Sequence, residues 1–184
     1  MDEKQLVNLA KTDRNAMNTL LANHHHIVYG FLLQMTCNQE LSKDLTQDTM
    51  IKAILNINKF KGNSKFSTWL IAIAINTYKN YTKKHKGIHI EFDEHYASNF
   101  DLEKDLIIKE EFHQVMSLLN NMKDSQKMPF LLKHYYGYSY DEISRIMKCP
   151  IGTVRSRIHN TIKKIQDSMG GLNELQIMRK TYSK

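Results

Sequence analysis

Apolar residues recur along most of this chain at intervals of three and four, the spacing that lines one face of an α-helix. The pattern predicts a short helix over residues 2–11 and a longer one capped by Asp13, with Met17, Leu20, Leu21, Ile27, Val28, Phe31 and Leu32 on its apolar face. Residues 36–38 interrupt that face. A third helix is expected over about 40–55, with Leu41, Leu45, Ile51 and Ile54 turned inward, and a fourth over about 67–84. Between them lies FKGNSKF, residues 60–66, where Gly62, Asn63 and Ser64 favour a loop and Phe60 and Phe66 pin its ends. Trp69, one turn before Ile73, is expected in the core. Alternation with a period of two is confined to a few residues near Ile88 to Phe92, and helices resume near Leu106. The expected fold class is all-α.

The most specific pattern is SYDEISRIMKCPIGTVRSRIHNTIKKI, which begins at Ser139. Ser139 can cap the amide three residues on, and Glu142 can reach back to the amide of Ser139, which starts a helix with Ile143, Ile146 and Met147 on its apolar face. Lys148 and Cys149 make a short turn. Pro150 suits the first position of the next helix, where its missing N–H costs nothing. In that helix Val154, Ile158, Ile162 and Ile165 face the core, which turns Thr153, Arg155, Ser156, Arg157, Asn160 and Lys164 towards or beside a ligand. This is a helix-turn-helix with a basic second helix, and it points to duplex DNA: an Arg fork pairs with two acceptors on guanine, and Ser, Thr and Lys suit phosphates.

Charge divides the chain into three. Residues 1–86 carry 12 basic and 6 acidic side chains, 87–112 carry 2 and 8, and 113–184 carry 12 and 5, so two basic lobes flank an acidic strap within an overall net charge of +7. No Asp or Glu occurs from Thr49 to Ile90, while Lys52, Lys59, Lys61, Lys65, Lys79, Lys83, Lys84 and Lys86 fall there, a run suited to a polyanion. Cys37 and Cys149, the two cysteines of the sequence, match no disulfide framework or metal spacing and are expected to be small buried thiols. The consecutive His24, His25 and His26 point about 100° apart on a helix and cannot converge on one ion. No metal, other cofactor or catalytic group is therefore expected. No stretch reaches the roughly 18 apolar residues of a membrane span, so a cytoplasmic protein with no membrane insertion of its own is expected.

Three segments in order, DLTQDTMIKA from Asp44, FKGNSKFSTWLIAIAINTYKNY from Phe60 and YGYSYDEISRIMKCPIGTVRSRIH from Tyr136, resemble the extracytoplasmic-function (ECF) sigma factors of bacterial RNA polymerase. The resemblance covers nearly the whole chain. It implies sigma region 2, a helical bundle, over 1–86, a flexible acidic linker over 87–105, the region 4 helix-turn-helix over 106–168 and a C-terminal tail over 169–184. It implies a promoter-specificity subunit that is not an enzyme. Its partners would be core RNA polymerase, through the beta-prime clamp helices and the beta flap, promoter DNA and an anti-sigma factor.

The same resemblance gives residues their roles. Asp44, Gln47 and Asp48, spaced to share one helix face, would dock the clamp helices. Lys61, Gly62, Asn63, Ser64, Lys65 and Ser67, with Thr68, would line a pocket for an unpaired minus-10 base, since a base taken out of the stack needs polar groups to satisfy its edge. Asn76, Lys79 and Asn80 would lie along the same DNA. The six polar residues named on the recognition helix would read the minus-35 element. Where many family members continue that helix with Arg or Lys, this chain has Asn160 and Ile162, which predicts a smaller counterion-release term and weak binding by the second lobe alone. The alternative is a free-standing helix-turn-helix regulator whose first lobe senses a ligand or dimerises.

Overall fold

The computed structural model describes residues 1–85 and 114–170, and every regular element among them is helical. The chain divides into two units, Met1–Asp93 and Glu94–Lys184. The acidic linker, the alternation near Ile88 to Phe92, the helix onset at Leu106 and the tail beyond residue 170 fall outside the described residues.

In the first unit α1 (Glu3–Leu9), α2 (Arg14–Thr36), α3 (Gln39–Asn56) and α4 (Phe66–Lys84) pack together, with a 3-10 turn at Ile57–Lys59 leading out of α3. Local chemistry sets the helix starts. Asp2 accepts from the Gln5 amide and the Gln5 side chain answers the Asp2 amide. Asp13 caps α2 through the Asn15 amide at 2.8 Å, and Asn38 caps α3 through the Leu41 amide at 2.9 Å. Each cap contributes about 1 kcal/mol. Leu20, Val28, Phe31 and Leu32 of α2 and Leu70, Ile71 and Ala74 of α4 are fully buried.

Helix α3 departs from the expectation. Leu45 is buried, but Ile51 is 55% exposed and Ile54 46%, while Leu41 is half-buried. The inward stripe is instead Ser42, Leu45, Thr46, Thr49 and Ala53. Its hydroxyls fold back on the helix itself: Thr46 Oγ1 donates to the Ser42 carbonyl at 2.6 Å and Thr49 Oγ1 to the Leu45 carbonyl at 2.7 Å. With their polar atoms satisfied and their volume small, these side chains suit close helix packing as well as an isoleucine row would.

In the second unit the helical residues 114–120 (α5) bury Val115, Met116 and Leu119. They join α6 (Asp124–His134), α7 (Tyr140–Met147) and α8 (Ile151–Ser168). Gly137, with φ +70°, makes the turn into α7. The reciprocal start of α7 is present: the Glu142 amide donates to Ser139 Oγ at 3.2 Å and the Ser139 amide to Glu142 Oε2 at 2.9 Å. Lys148 ends α7 in the left-handed region at φ 52°, and Ser144 Oγ ties the turn by donating to the Cys149 carbonyl at 2.6 Å. Pro150 stands at the N-cap of α8, one residue earlier than expected, because its ψ of 147° is extended and the helix begins at Ile151.

His134 at the end of α6 is 2% exposed, and neither ring nitrogen has a hydrogen-bond partner among the described residues. Burial, with the Lys133 charge adding to it, lowers its pKa from 6.5 to about 4. The folded ring stays neutral where the same ring in the unfolded chain takes a proton. This contribution to stability is therefore complete above about pH 6.5 and is lost as pH falls towards about 4, by about 3 kcal/mol. Urea unfolding of the chain from pH 7 to pH 4 should show the loss, and a His134→Leu variant should lose correspondingly less. Equal pH dependence in the two proteins would contradict it.

Candidate nucleic-acid interface

The loop between the 3-10 turn and α4 is pinned by an aromatic cluster. Phe60 and Phe66 are buried and meet edge to face at 5.6 Å, and Trp69 leans on both at 5.3 and 5.5 Å. Trp69 itself is half-buried, because it covers the two phenylalanines from the solvent side instead of entering the core beneath them. Gly62 takes φ +74°, a conformation that a side chain would strain. Lys61, Gly62, Asn63 and Lys65 are exposed and Ser64 half-buried.

A cleft of about 560 Å³ opens against this loop, and Lys61, Gly62, Ser64 and Lys65 line it. Its opposite side is α1 with the residues that flank it, a participant that spacing could not reveal, since it lies some fifty residues from the loop in sequence. Asn63 and Ser67 do not line the cleft. Thr68 is a correction: it is 5% exposed and belongs to the core, because it lies on the buried face of α4. Asn76, Lys79 and Asn80 are exposed and share one face of α4 at i, i+3 and i+4. Lys52 leaves the expected basic run, for it is half-buried and donates to Thr77 Oγ1 at 3.1 Å.

In the helix-turn-helix the two guanidinium groups are held differently. Arg155 is exposed and lies over the Tyr140 ring at 5.4 Å, and the Lys133 ammonium lies 4.8 Å from the same ring. Arg157 is half-buried, with Nη1 3.9 Å from Cys149 Sγ. Cys37 is buried as expected, but Cys149 is only half-buried, since it sits in the turn that both helices leave open to solvent. Ser156 donates back to the Thr153 carbonyl at 3.0 Å, and Thr153 is half-buried. Asn160 is exposed, and Lys164 reaches Gln126 Oε1 at 3.3 Å, which ties its ammonium to α6. Tyr140 and Lys133 join Arg155 through tertiary packing; Tyr140, the residue after the capping serine, was the nearest signal in the sequence.

A third polar group lies on α3. Asp44, Gln47 and Asp48 are exposed and line a shallow cleft of about 530 Å³ with Leu41, Leu45 and Tyr81. Ile51, Ile54 and Leu55 continue the same stripe, and Leu55 is 74% exposed.

Two family models match in sequence order: Sigma-70 region 2 over residues 20–88 and Sigma-70 region 4 over residues 112–165. The chain is 31% identical over 180 residues to the ECF RNA polymerase sigma-E factor of Haemophilus influenzae, across 91% of this chain and 95% of that protein. This chain belongs to the ECF sigma factors. The sigma-E factor of Escherichia coli K12 is 30% identical over the same length, covering 94% of that protein. Among solved structures, the sigma factor RpoE in complex with the anti-sigma factor NepR from Bartonella quintana aligns at TM-score 0.70 and 23% identity, covering 83% of this chain and 95% of that one. CnrH in complex with the cytosolic domain of CnrY aligns at TM-score 0.68 and 18% identity, covering 91% and 96%. These two likenesses concern the fold. As a sigma factor, the protein directs transcription initiation.

The different settings of the two arginines lead us to expect different defects in duplex binding when each is replaced. Arg155, massed with a second cation on one ring, suits a phosphate, so Arg155→Ala should weaken all sequences alike and lower the salt slope by about one. Arg157, fixed beside the turn, suits a base edge, so Arg157→Ala should cost about 1 to 3 kcal/mol at one base pair and leave the others unchanged. Binding titrations across salt and across single-base promoter variants check both, and normal affinity and specificity in both variants would remove α8 from the DNA.

Proposed function

We propose that this sigma factor docks core RNA polymerase through the outer stripe of α3, reads the minus-35 element with α8 and captures unpaired minus-10 bases at the 60–66 loop. The observation that carries the docking is the inversion of α3. Asp44, Gln47, Asp48, Ile51, Ile54 and Leu55 fall on one line along the helix, at the three-and-four spacing by which one helix meets another. The line is polar at its start and apolar at its end, and a run of exposed large apolar side chains on an otherwise well-packed helix marks a surface that a partner covers. A helical partner such as the beta-prime clamp helices fits that stripe.

The DNA contacts rest on a division of labour. Duplex recognition needs a helix with forked donors, which α8 offers, and base capture needs a cleft beside cationic side chains, which the loop offers. Asn76, Lys79 and Asn80 extend the second surface along α4, with amides that donate and accept and an ammonium that suits phosphate. Thr153, Ser156 and Asn160 accompany Arg155 and Arg157 on the first, and Lys164 lies at its far end. The work is binding alone: no bond is made or broken by the sigma factor, and trapping unstacked bases makes melting favourable by mass action. The site of action is the cytoplasm, and no helix among the described residues is long and apolar enough to cross a membrane. An anti-sigma partner is supported by the solved complexes of RpoE with NepR and CnrH with CnrY, and the uncovered α3 stripe is a surface it could occlude.

Replacing Asp44, Gln47 and Asp48 by Ala, or Ile51 and Leu55 by Ser, should weaken binding to core polymerase by about tenfold or more, as loss of central interface contacts does. Helicity and melting temperature should hold, since these side chains are exposed. Fluorescence anisotropy of labelled protein against core enzyme is the measurement, and unaltered assembly by both variants would remove α3 from the polymerase interface.

A further inference from the structure

The cleft beside the loop has two walls, and one of them has no assigned role. We propose that α1 and the turn after it are the second half of the base reader: Asn8 meets the edge of the captured nucleobase while Lys4 and Lys11 hold its flanking phosphates. This rests on the reading of the 60–66 loop as the site of base capture.

The chemistry of the cleft is that of a nucleotide. Val7 of α1 and Phe60 and Phe66 at the ends of the loop supply apolar surface, the kind of wall against which an unstacked base packs. Lys4 and Lys11 on one side and Lys61 and Lys65 on the other supply four cations, and none of the four has a carboxylate partner among the described residues. The two acids of this wall are committed elsewhere: Asp2 accepts from the Gln5 amide at 2.7 Å and Glu3 Oε2 lies 3.3 Å from His24 Nε2. Four lysines against two carboxylates leave the rim of the space cationic. At about 560 Å³ it lies within the range of sites that enclose a small molecule.

Asn8 is the one side-chain amide in this lining. It is exposed, and its amide has no hydrogen-bond partner among the described residues. An amide carries an acceptor and donors side by side, which matches the paired donor and acceptor on the edge of an unpaired base. The wall is also fixed in place. Leu6, Val7 and Ala10 are buried, the Asp2 and Gln5 box closes the start of α1, and His24 bridges the two walls, paired with Glu3 on one side and edge-on to the Phe66 ring at 5.1 Å on the other. A reader assembled from two rigid elements discriminates better than a loop alone, because the base edge meets groups that do not have to be ordered on binding.

The test uses holoenzyme and a set of promoter forks that carry each of the four bases in turn at every unpaired minus-10 position. Asn8→Ala, an exposed and structurally neutral change, should alter base preference about tenfold at one position, with minus-35 preference and polymerase affinity as in wild type. A Lys4→Gln and Lys11→Gln double variant should weaken every fork alike and flatten the salt dependence. An exchange of residues 61–68 for those of a related factor is the control. If the exchange shifts the base profile while Asn8→Ala and the double variant match wild type, α1 is no part of the reader and the loop stands alone. If none of the three moves the profile, base capture at the loop falls with it.

Discussion

Thr46 and Thr49 face the interior of the first unit with their hydroxyls turned back onto the carbonyls one turn earlier, and this back-bonding is what lets α3 bury a polar stripe. A buried hydroxyl without a partner costs on the order of 1 to 3 kcal/mol, so the orientation of α3 depends on these bonds being made within the helix. Once Ser42, Thr46, Thr49 and Ala53 are inside, 100° per residue places Asp44, Gln47, Asp48, Ile51, Ile54 and Leu55 outside together. The interior stripe thus determines the exterior one. Lys52 Nζ, bonded to Thr77 Oγ1, couples the same rotation to α4, and Tyr81 of α4 lies along the cleft that Asp44 and Asp48 line. The proposed docking stripe of α3 and the proposed DNA face of α4 are thereby held in one register.

The second unit solves a different problem with the same economy. A helix-turn-helix must hold its recognition helix at a fixed angle through a very short turn. Here the left-handed Lys148, the Ser144 bond to the Cys149 carbonyl and Pro150 at the N-cap supply that rigidity. Tyr140 then does what the turn cannot, as a surface on which Arg155 and Lys133 are brought together. Each cation gains from the electron-rich ring, which orders both side chains before any ligand arrives.

Much of this was legible in the sequence where the physics is local. The Ser139 and Glu142 box, the Asp13 cap and the Phe60 and Phe66 bracket depend on residues within one or two turns of each other, and each is where the pattern places it. The ECF motifs gave the family, and the two matched regions bear it out. Legibility failed where a choice is made between elements. Ile51 and Ile54 look like core to any rule that equates apolar with buried, and only the packing of α3 on α2 and α4 shows that small hydroxylic residues fit there better. Thr68 reads as polar loop lining but is turned inward by the phase of α4. The α1 wall of the cleft, Lys133 beside Arg155 and the half-exposed Cys149 all follow from contacts between segments distant in sequence, for which spacing carries no signal.

We propose that the two units of this one chain together make core polymerase initiate at a two-part promoter. The most direct test adds the purified chain to core RNA polymerase and maps the 5′ ends of transcripts made from sheared genomic DNA of the source organism. Starts absent with core enzyme alone should appear, preceded by two sequence blocks at a constant separation, the upstream one altered by Arg157→Ala and the downstream one by exchange of residues 61–68. Transcripts whose start sites share no upstream blocks, or that appear equally without the chain, would contradict it.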